Sequence, residues 1–374
     1  MTEGPTIFRT EPPTLARNPA IPRQYYLDLA ARGLRMPVGA HLVLHDHPEP
    51  EAILLDGERL GRVVEESARR YGTPLAVPLM DLMIEKTALL EMLGVPPEQI
   101  PTHHLSSACT DDWAAMLEAR MPGHRNARAA ATADAVRYIA ERTDLLPIGM
   151  AIGPFSLMVK LVANPISAVF LAGRGRTAAD SGEVALVERV LEAGVRVIEW
   201  SLKAQLAAGA RAVFICEPAA SAAYLSPRQL AAGADILDRY VLHYNRRIRA
   251  LLAEAGADLI FHCCGEITPD FVRRFVELDP AILSLGSSVR LWEIARFVPK
   301  TTVLFGNLPS RKFFSDTEIT EEQVRQQARH LVRQMRQVGH PFILGSECDV
   351  LSVTGKHELI KRKVQAMLDA AGEA

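Results

Sequence analysis

From about residue 60 onward the chain alternates between two patterns of apolar and polar positions. Short apolar runs without polar alternation end in Gly, Pro or a polar cluster, and a longer segment with helical periodicity follows each. The runs are "LAVPLMD" (75–81), "PIGMAIG" (147–153), "AVFICEP" (212–218), "LIFHCCG" (259–265), "AILSLG" (281–286), "TVLFGN" (302–307) and "FILGSECD" (342–349). Helical segments such as 183–209 and 320–339 separate them. Runs that are apolar at successive positions suit strands covered on both faces, as in a parallel sheet. Seven such strands alternating with helices predict an α/β fold, a (β/α)8 TIM-type barrel, with its eighth strand within 41–48 or 99–106. An open doubly wound sheet is the rival, but it would usually carry a glycine-rich phosphate loop after its first strand. The one glycine-rich candidate, "AGRGRT" (172–177), follows no clear strand and reads as a surface turn. Residues 1–40 are rich in Pro and Arg. We expect an N-terminal helical extension over residues 1–60 and a single catalytic barrel over 61–374.

Composition narrows the partners. The charges nearly cancel, at a net of −2, and no long basic run appears, which argues against nucleic acid. The segment "MTEGPTIFRTEPPTLARNPAIPRQYY" lacks the apolar core of a signal peptide. No apolar stretch approaches the roughly 20 residues of a membrane-spanning helix. Five cysteines, an odd and low number, suit a reducing compartment better than a disulfide framework. The expectation is a cytoplasmic protein.

In a barrel of this type, chemistry sits where strands end. Those ends carry Asp81, Cys216-Glu217, His262-Cys263-Cys264, Asn307 and Cys348-Asp349. Side chains alternate along a strand, so His262 and Cys264 point one way and Cys263 the other, toward the helix layer. His262 and Cys264 can grip one ion that Cys348 closes from a later strand. One nitrogen and two sulfurs suit Zn²⁺, and three protein ligands leave a fourth position open. Free cysteines are often simply buried, and that is the reading for Cys109 and Cys216. The histidines of "HDH" (45–47) and "THHL" (102–105) read as turn or helix-entry residues, since nothing downstream completes a second metal set.

With these residues in place, the chain resembles the uroporphyrinogen decarboxylase superfamily, and within it the zinc-dependent, corrinoid-linked methyltransferases such as the methylcobamide:coenzyme M methyltransferases. The resemblance runs from about residue 55 to 370 and rests on several motifs in order. They are "PLMDLMIE" (78–85), "IGPFSL" (152–157), "CEPAAS…LSP" (216–227), "FHCCGE" (261–266), "FGNLP" (305–309) and "ILGSECDVLSVTGKHELIK" (343–361). The decarboxylases themselves use no metal and carry an arginine-rich substrate loop, of which "RQYYLDLAARGLR" is a poor imitation; Cys348 separates the two branches. Ser346-Glu347 stands where the methyltransferases commonly have Pro-Gly, and "TGKHE" (354–358) where they have a proline-rich stretch.

The resemblance implies zinc on His262, Cys264 and Cys348, and a methyl group moving between a corrinoid and a small substrate, a thiol or an O- or N-methyl compound. The cobalamin signature D-x-H-x-x-G is absent, so the methylcorrinoid is expected on a separate corrinoid protein docked at the barrel mouth. Glu217 is the candidate fourth ligand or base, and Asp81 and Glu85 are candidates for orienting substrate or the ligand histidine. Gly306 and Asn307 are expected to shape the mouth around the cofactor. A homodimer is left open. Two alternatives remain: a metal-free decarboxylase, and a non-catalytic homologue that binds a corrinoid protein.

Overall fold

The computed structural model describes residues 21–106 and 112–370. Eight strands run in parallel: β1 (Arg35–Val38), β2 (Leu75–Ala76), β3 (Leu146–Ile152), β4 (Ala212–Cys216), β5 (Asp258–Cys263), β6 (Ile282–Leu285), β7 (Val303–Leu308) and β8 (Phe342–Asp349). They form one sheet in the order β1-β8-β7-β6-β5-β4-β3-β2, curled as a (β/α)8 TIM-type fold. Among the described residues no ladder joins β1 to β2. A side-chain contact bridges that seam, with Thr73 Oγ1 3.2 Å from the Met36 sulfur.

The eighth strand is not where the hydrophobic pattern placed it. Residues 40–44 are helical, and in 99–106 only Leu105 makes an isolated bridge, to Val162. The missing strand is β1, inside the segment read as an extension. Four residues with a proline among them make too short a run to stand out, and proline is tolerated there because β1 ladders only with β8. Its register shifts between Met36 and Val38, and the Val38 N–H is satisfied by the Ser346 hydroxyl at 2.9 Å. The run expected at 75–81 yields only the two-residue β2. Pro78 follows, with no N–H for a ladder.

Alternation sorts the strand side chains into two cores. Met36, Val38, Ile148, Met150, Phe214, Cys216, Ile260, Ile282, Val303, Phe305 and Ile343 fill the inside of the barrel. Their neighbours, such as Val213, Ile215, Phe261, Cys263 and Leu283, face the outer helices. Gly345 is inside, where a Cβ would lie 2.4 Å from the Phe305 ring. The helix Arg23–Ala31 closes the N-terminal end of the barrel. Tyr26 and Leu29 enter the inner core, and Arg23 bonds Asp279 at 3.1 Å, just ahead of β6.

The outer helices carry clear boundary signals. Gly182–Ala207 starts at Ser181, whose hydroxyl accepts from the Val184 N–H. Glu321–Val338 has a Thr320/Gln323 capping box and ends at Gly339, with φ +60°. "AGRGRT" lies at the exposed C-terminus of the helix Pro165–Gly173, not after a strand, so the doubly wound reading falls. No helix among the described residues is long and apolar enough to cross a membrane.

Candidate metal centre

His262 lies near the C-terminal end of β5, Cys264 just past it, and Cys348 near the end of β8. One ligand atom from each lies within 4.8 Å of the others. His262 is fully buried against Phe214, with ring centroids 5.4 Å apart. Its Nδ1 lies 2.9 Å from the Ser284 hydroxyl, while Nε2 is buried with no hydrogen-bond partner. A buried ring nitrogen without a partner carries a desolvation cost that a metal bond would remove. Ser284 is the outer partner that holds such a ring's orientation.

The two thiols act as a pair. A hydrogen bond from Cys348, helped by the charge of Arg311, pulls the Cys264 thiol below the ordinary range. The same hydrogen bond, together with burial, pushes Cys348 up. One imidazole nitrogen and two sulfurs at this spacing fit Zn²⁺, and the metal set read from the sequence is brought together.

The other candidates are placed elsewhere. Cys216 pairs in register with His262, so it faces the barrel interior, and Glu217 next to it faces the helix layer. The Glu217 carboxylate accepts from Phe155 N at 3.1 Å, Ser156 N at 2.9 Å, Ser156 Oγ at 2.7 Å and Asn245 Nδ2 at 2.8 Å. It is a side-chain cap for the helix Pro154–Leu161, not a fourth ligand. Gly153 is required beside it, because a Cβ there would sit 2.1 Å from the carboxyl carbon.

Asp81 accepts from Met83 N at 3.0 Å and pairs with Arg128. It anchors the loop after β2, while the His262 ring is held by Ser284. Glu85 is buried on the helix Ile84–Met92, where it accepts from the Ser201 hydroxyl at 2.9 Å, and burial raises its pKa to about 7. Its hydrogen bond runs to Ser201 on the helix Gly182–Ala207, and among the described residues none joins it to His262. The Asn307 amide donates to the carbonyls of Gly286 at 2.7 Å and Val289 at 2.8 Å, so it ties β7 to the loop after β6. Gly306 has φ +122°, and a Cβ there would come within 3.1 Å of the Leu285 carbonyl. Gly306 and Asn307 thus set loop geometry at the mouth.

Cys263 and Cys216 behave as structural residues. Cys263 faces the helices, 3.4 Å from the Ala220 carbonyl, and burial pushes it up to about 12. Cys216 sits beside the Met150 sulfur at 3.3 Å. Cys109 lies outside the described residues. In "HDH", His47 pairs with Glu66 at 2.8 Å, and Asp46 joins the distant His357 at 2.6 Å. His103 and His104 of "THHL" lie in the loop leading to the Leu105 bridge.

Three residues around the site escaped the sequence reading as participants: Ser284, Arg311 and Glu347. Glu347 is only 2% exposed. It accepts from Ser287 N at 3.0 Å, and from Arg311 Nε and Nη2 at 3.1 and 3.2 Å. Arg311 Nη2 also reaches the Cys264 carbonyl at 3.4 Å. Register alone could have found Ser284, since it pairs with His262 across the β5–β6 ladder.

Parallel (β/α)8 architecture with a His-Cys-Cys cluster at the C-terminal end of the strands defines a barrel built for chemistry at its mouth. The sequence profile of the uroporphyrinogen decarboxylase (URO-D) family matches residues 54–373, and the chain belongs to that family. Among curated proteins no sequence matches. A solved methyltransferase from Methanosarcina mazei superposes with a TM-score of 0.63 at 17% identity, covering 95% of this chain and 99% of that one. A tryptophan synthase from M. tuberculosis aligns over 60% of this chain and 91% of its own, with 17% identity and a TM-score of only 0.24.

Proposed function

We propose that this chain is a zinc-dependent methyltransferase that moves a methyl group between a corrinoid, carried by a separate protein, and a small thiol or O- or N-methyl compound. The observation that carries the reading is the unpartnered, buried Nε2 of His262 facing a thiol pair. The solved methyltransferase from Methanosarcina mazei, alike over nearly the whole chain, supports it. A decarboxylase working without metal has no use for such a donor set.

His262, Cys264 and Cys348 would hold the ion, which when bound supplies a Lewis acid on which a substrate thiol is deprotonated. Ser284 holds the ring by Nδ1, leaving Nε2 as the donor. Both thiols would bind as thiolates, and the Arg311 cation beside Cys264 favours that charge. Exposed apolar side chains on the loops after β2 and β8, namely Met83, Leu351 and Val353, offer the carrier protein a non-polar rim.

Elemental analysis of protein purified without a metal-affinity tag, followed by methyl transfer from methylcobalamin to a panel of thiols, tests the reading. Stoichiometric zinc and methyl transfer are expected. Protein without bound zinc that decarboxylates a porphyrinogen would overturn it.

A further inference from the structure

The Glu347–Arg311 pair has no part in holding an ion, yet it is built beside the place where one would sit. Its two ends differ sharply. The carboxylate is 2% exposed, with one oxygen taken by Arg311 and the other by Arg311 and the Ser287 N–H. The Arg311 side chain is 58% exposed. Its Nε and Nη2 are held by Glu347 and the Cys264 carbonyl, while Nη1 has no hydrogen-bond partner among the described residues.

The result is an oriented dipole with its negative end buried and its positive end in the mouth. The guanidinium is fixed at three contacts, so little side-chain freedom remains to be lost when it binds a further group. A planar guanidinium with a free edge takes a carboxylate or another oxyanion in preference to a neutral hydroxyl.

We propose that Arg311 is a specificity-determining residue that binds an anionic group of the small substrate, a carboxylate or similar oxyanion, while the substrate's reacting atom lies at the His262–Cys264–Cys348 cluster. This deepens the methyltransferase reading and rests on it for the word substrate. Nearby at the mouth, the Asn307 amide is spent on loop carbonyls and offers the substrate no donor.

The test uses two thiols of nearly equal shape, mercaptopropionate and mercaptopropanol, which differ in carrying a carboxylate or a hydroxymethyl group. Calorimetric titration of the whole protein measures the affinity of each. Arg311→Gln alone leaves the Glu347 charge buried without its partner, so the double variant Arg311→Gln/Glu347→Gln and the charge-conserving Arg311→Lys are measured with it.

The wild type is expected to prefer mercaptopropionate by about tenfold or more, the scale of one charge-assisted contact. The preference should collapse to about one in the double variant and fall to an intermediate value in Arg311→Lys. Equal affinities in the wild type overturn the proposal. So does a preference that survives in the double variant, which would trace it to chelation of the ion by the ligand's own carboxylate. Zinc content and methyl transfer from methylcobalamin are measured on the same samples. An Arg311-dependent preference without methyl transfer sinks the methyltransferase reading and leaves the anion site standing. Methyl transfer with no preference does the reverse.

Discussion

Among the described residues, two clusters bring metal-type ligands within 4.8 Å of one another: His262 with Cys264 and Cys348, and Asp46 with His357 and Glu358. Geometry does not separate them, but their surroundings do. Asp46 already accepts from His357 at 2.6 Å and Lys361 at 3.1 Å, and it pairs with Arg70. Cations satisfy its charge, and its neighbour Glu358 is largely exposed, paired with Lys361 at 2.6 Å. At the barrel mouth the reverse holds: the buried Nε2 of His262 has no hydrogen-bond partner, and two thiols lie beside it. What separates the two clusters is a buried ring nitrogen left without a partner, not the crowding of ligand-type residues.

The largest effect that can break this contrast is at the ligands themselves. Cys264→Ser and Cys348→Ser should each lose stoichiometric zinc and abolish methyl transfer, read by elemental analysis and the methylcobalamin assay. Cys263→Ser should do neither, because that thiol faces the helices. All three should unfold cooperatively, since a barrel of this size has ample core without a metal staple. Full zinc in the Cys264→Ser and Cys348→Ser proteins would end the assignment.

Glu217 supplies the next test, because it separates stability from metal binding. Glu217→Ala strips four donors of their acceptor in a fully buried place and should cost about 3 kcal/mol in denaturant unfolding. Its zinc stoichiometry should remain that of the wild type. A loss of zinc at unchanged stability would restore Glu217 as a ligand. Ser284→Ala probes the partner of the ring rather than the donor atoms. Zinc affinity, measured by competition with a chelator, should fall about 10- to 100-fold.

How much of this was readable beforehand follows from what each residue's role depends on. Strands β3 to β8 announce themselves because burial on both faces leaves unbroken apolar runs. β1 does not, since "RMPV" is recognisable as a strand only once β8 lies beside it. The clustering of His262, Cys264 and Cys348 was legible because strand alternation puts His262 and Cys264 on one side. The same rule, applied to the neighbouring strand end, would have turned Glu217 away from them. What had to be added was the register that aligns Cys216 with His262. Arg311 was out of reach, since nothing in a stretch between β7 and a helix 36 positions ahead of Glu347 signals that the two will meet.

The smallest expected effect lies at the satisfied cluster and checks the other half of the contrast. Arg70, His357 and Lys361 donate to Asp46 and, against the opposing pull of partial burial, hold its carboxyl well below the usual carboxylate range. A carboxylate whose folded pKa is depressed contributes stability above its unfolded value of about 4, and that contribution fades as the pH falls through the folded value. Asp46 remains partly open to solvent, so screening keeps the contribution to about 1 kcal/mol or less. Asp46→Asn should therefore lower the melting temperature slightly at neutral pH, and the gap to the wild type should narrow as the pH drops below about 4. Its zinc content should be unchanged. A variant that loses zinc, or one whose deficit widens in acid, would show that the exposed cluster binds a cation after all, and that unsatisfied donors are not what sets the barrel mouth apart.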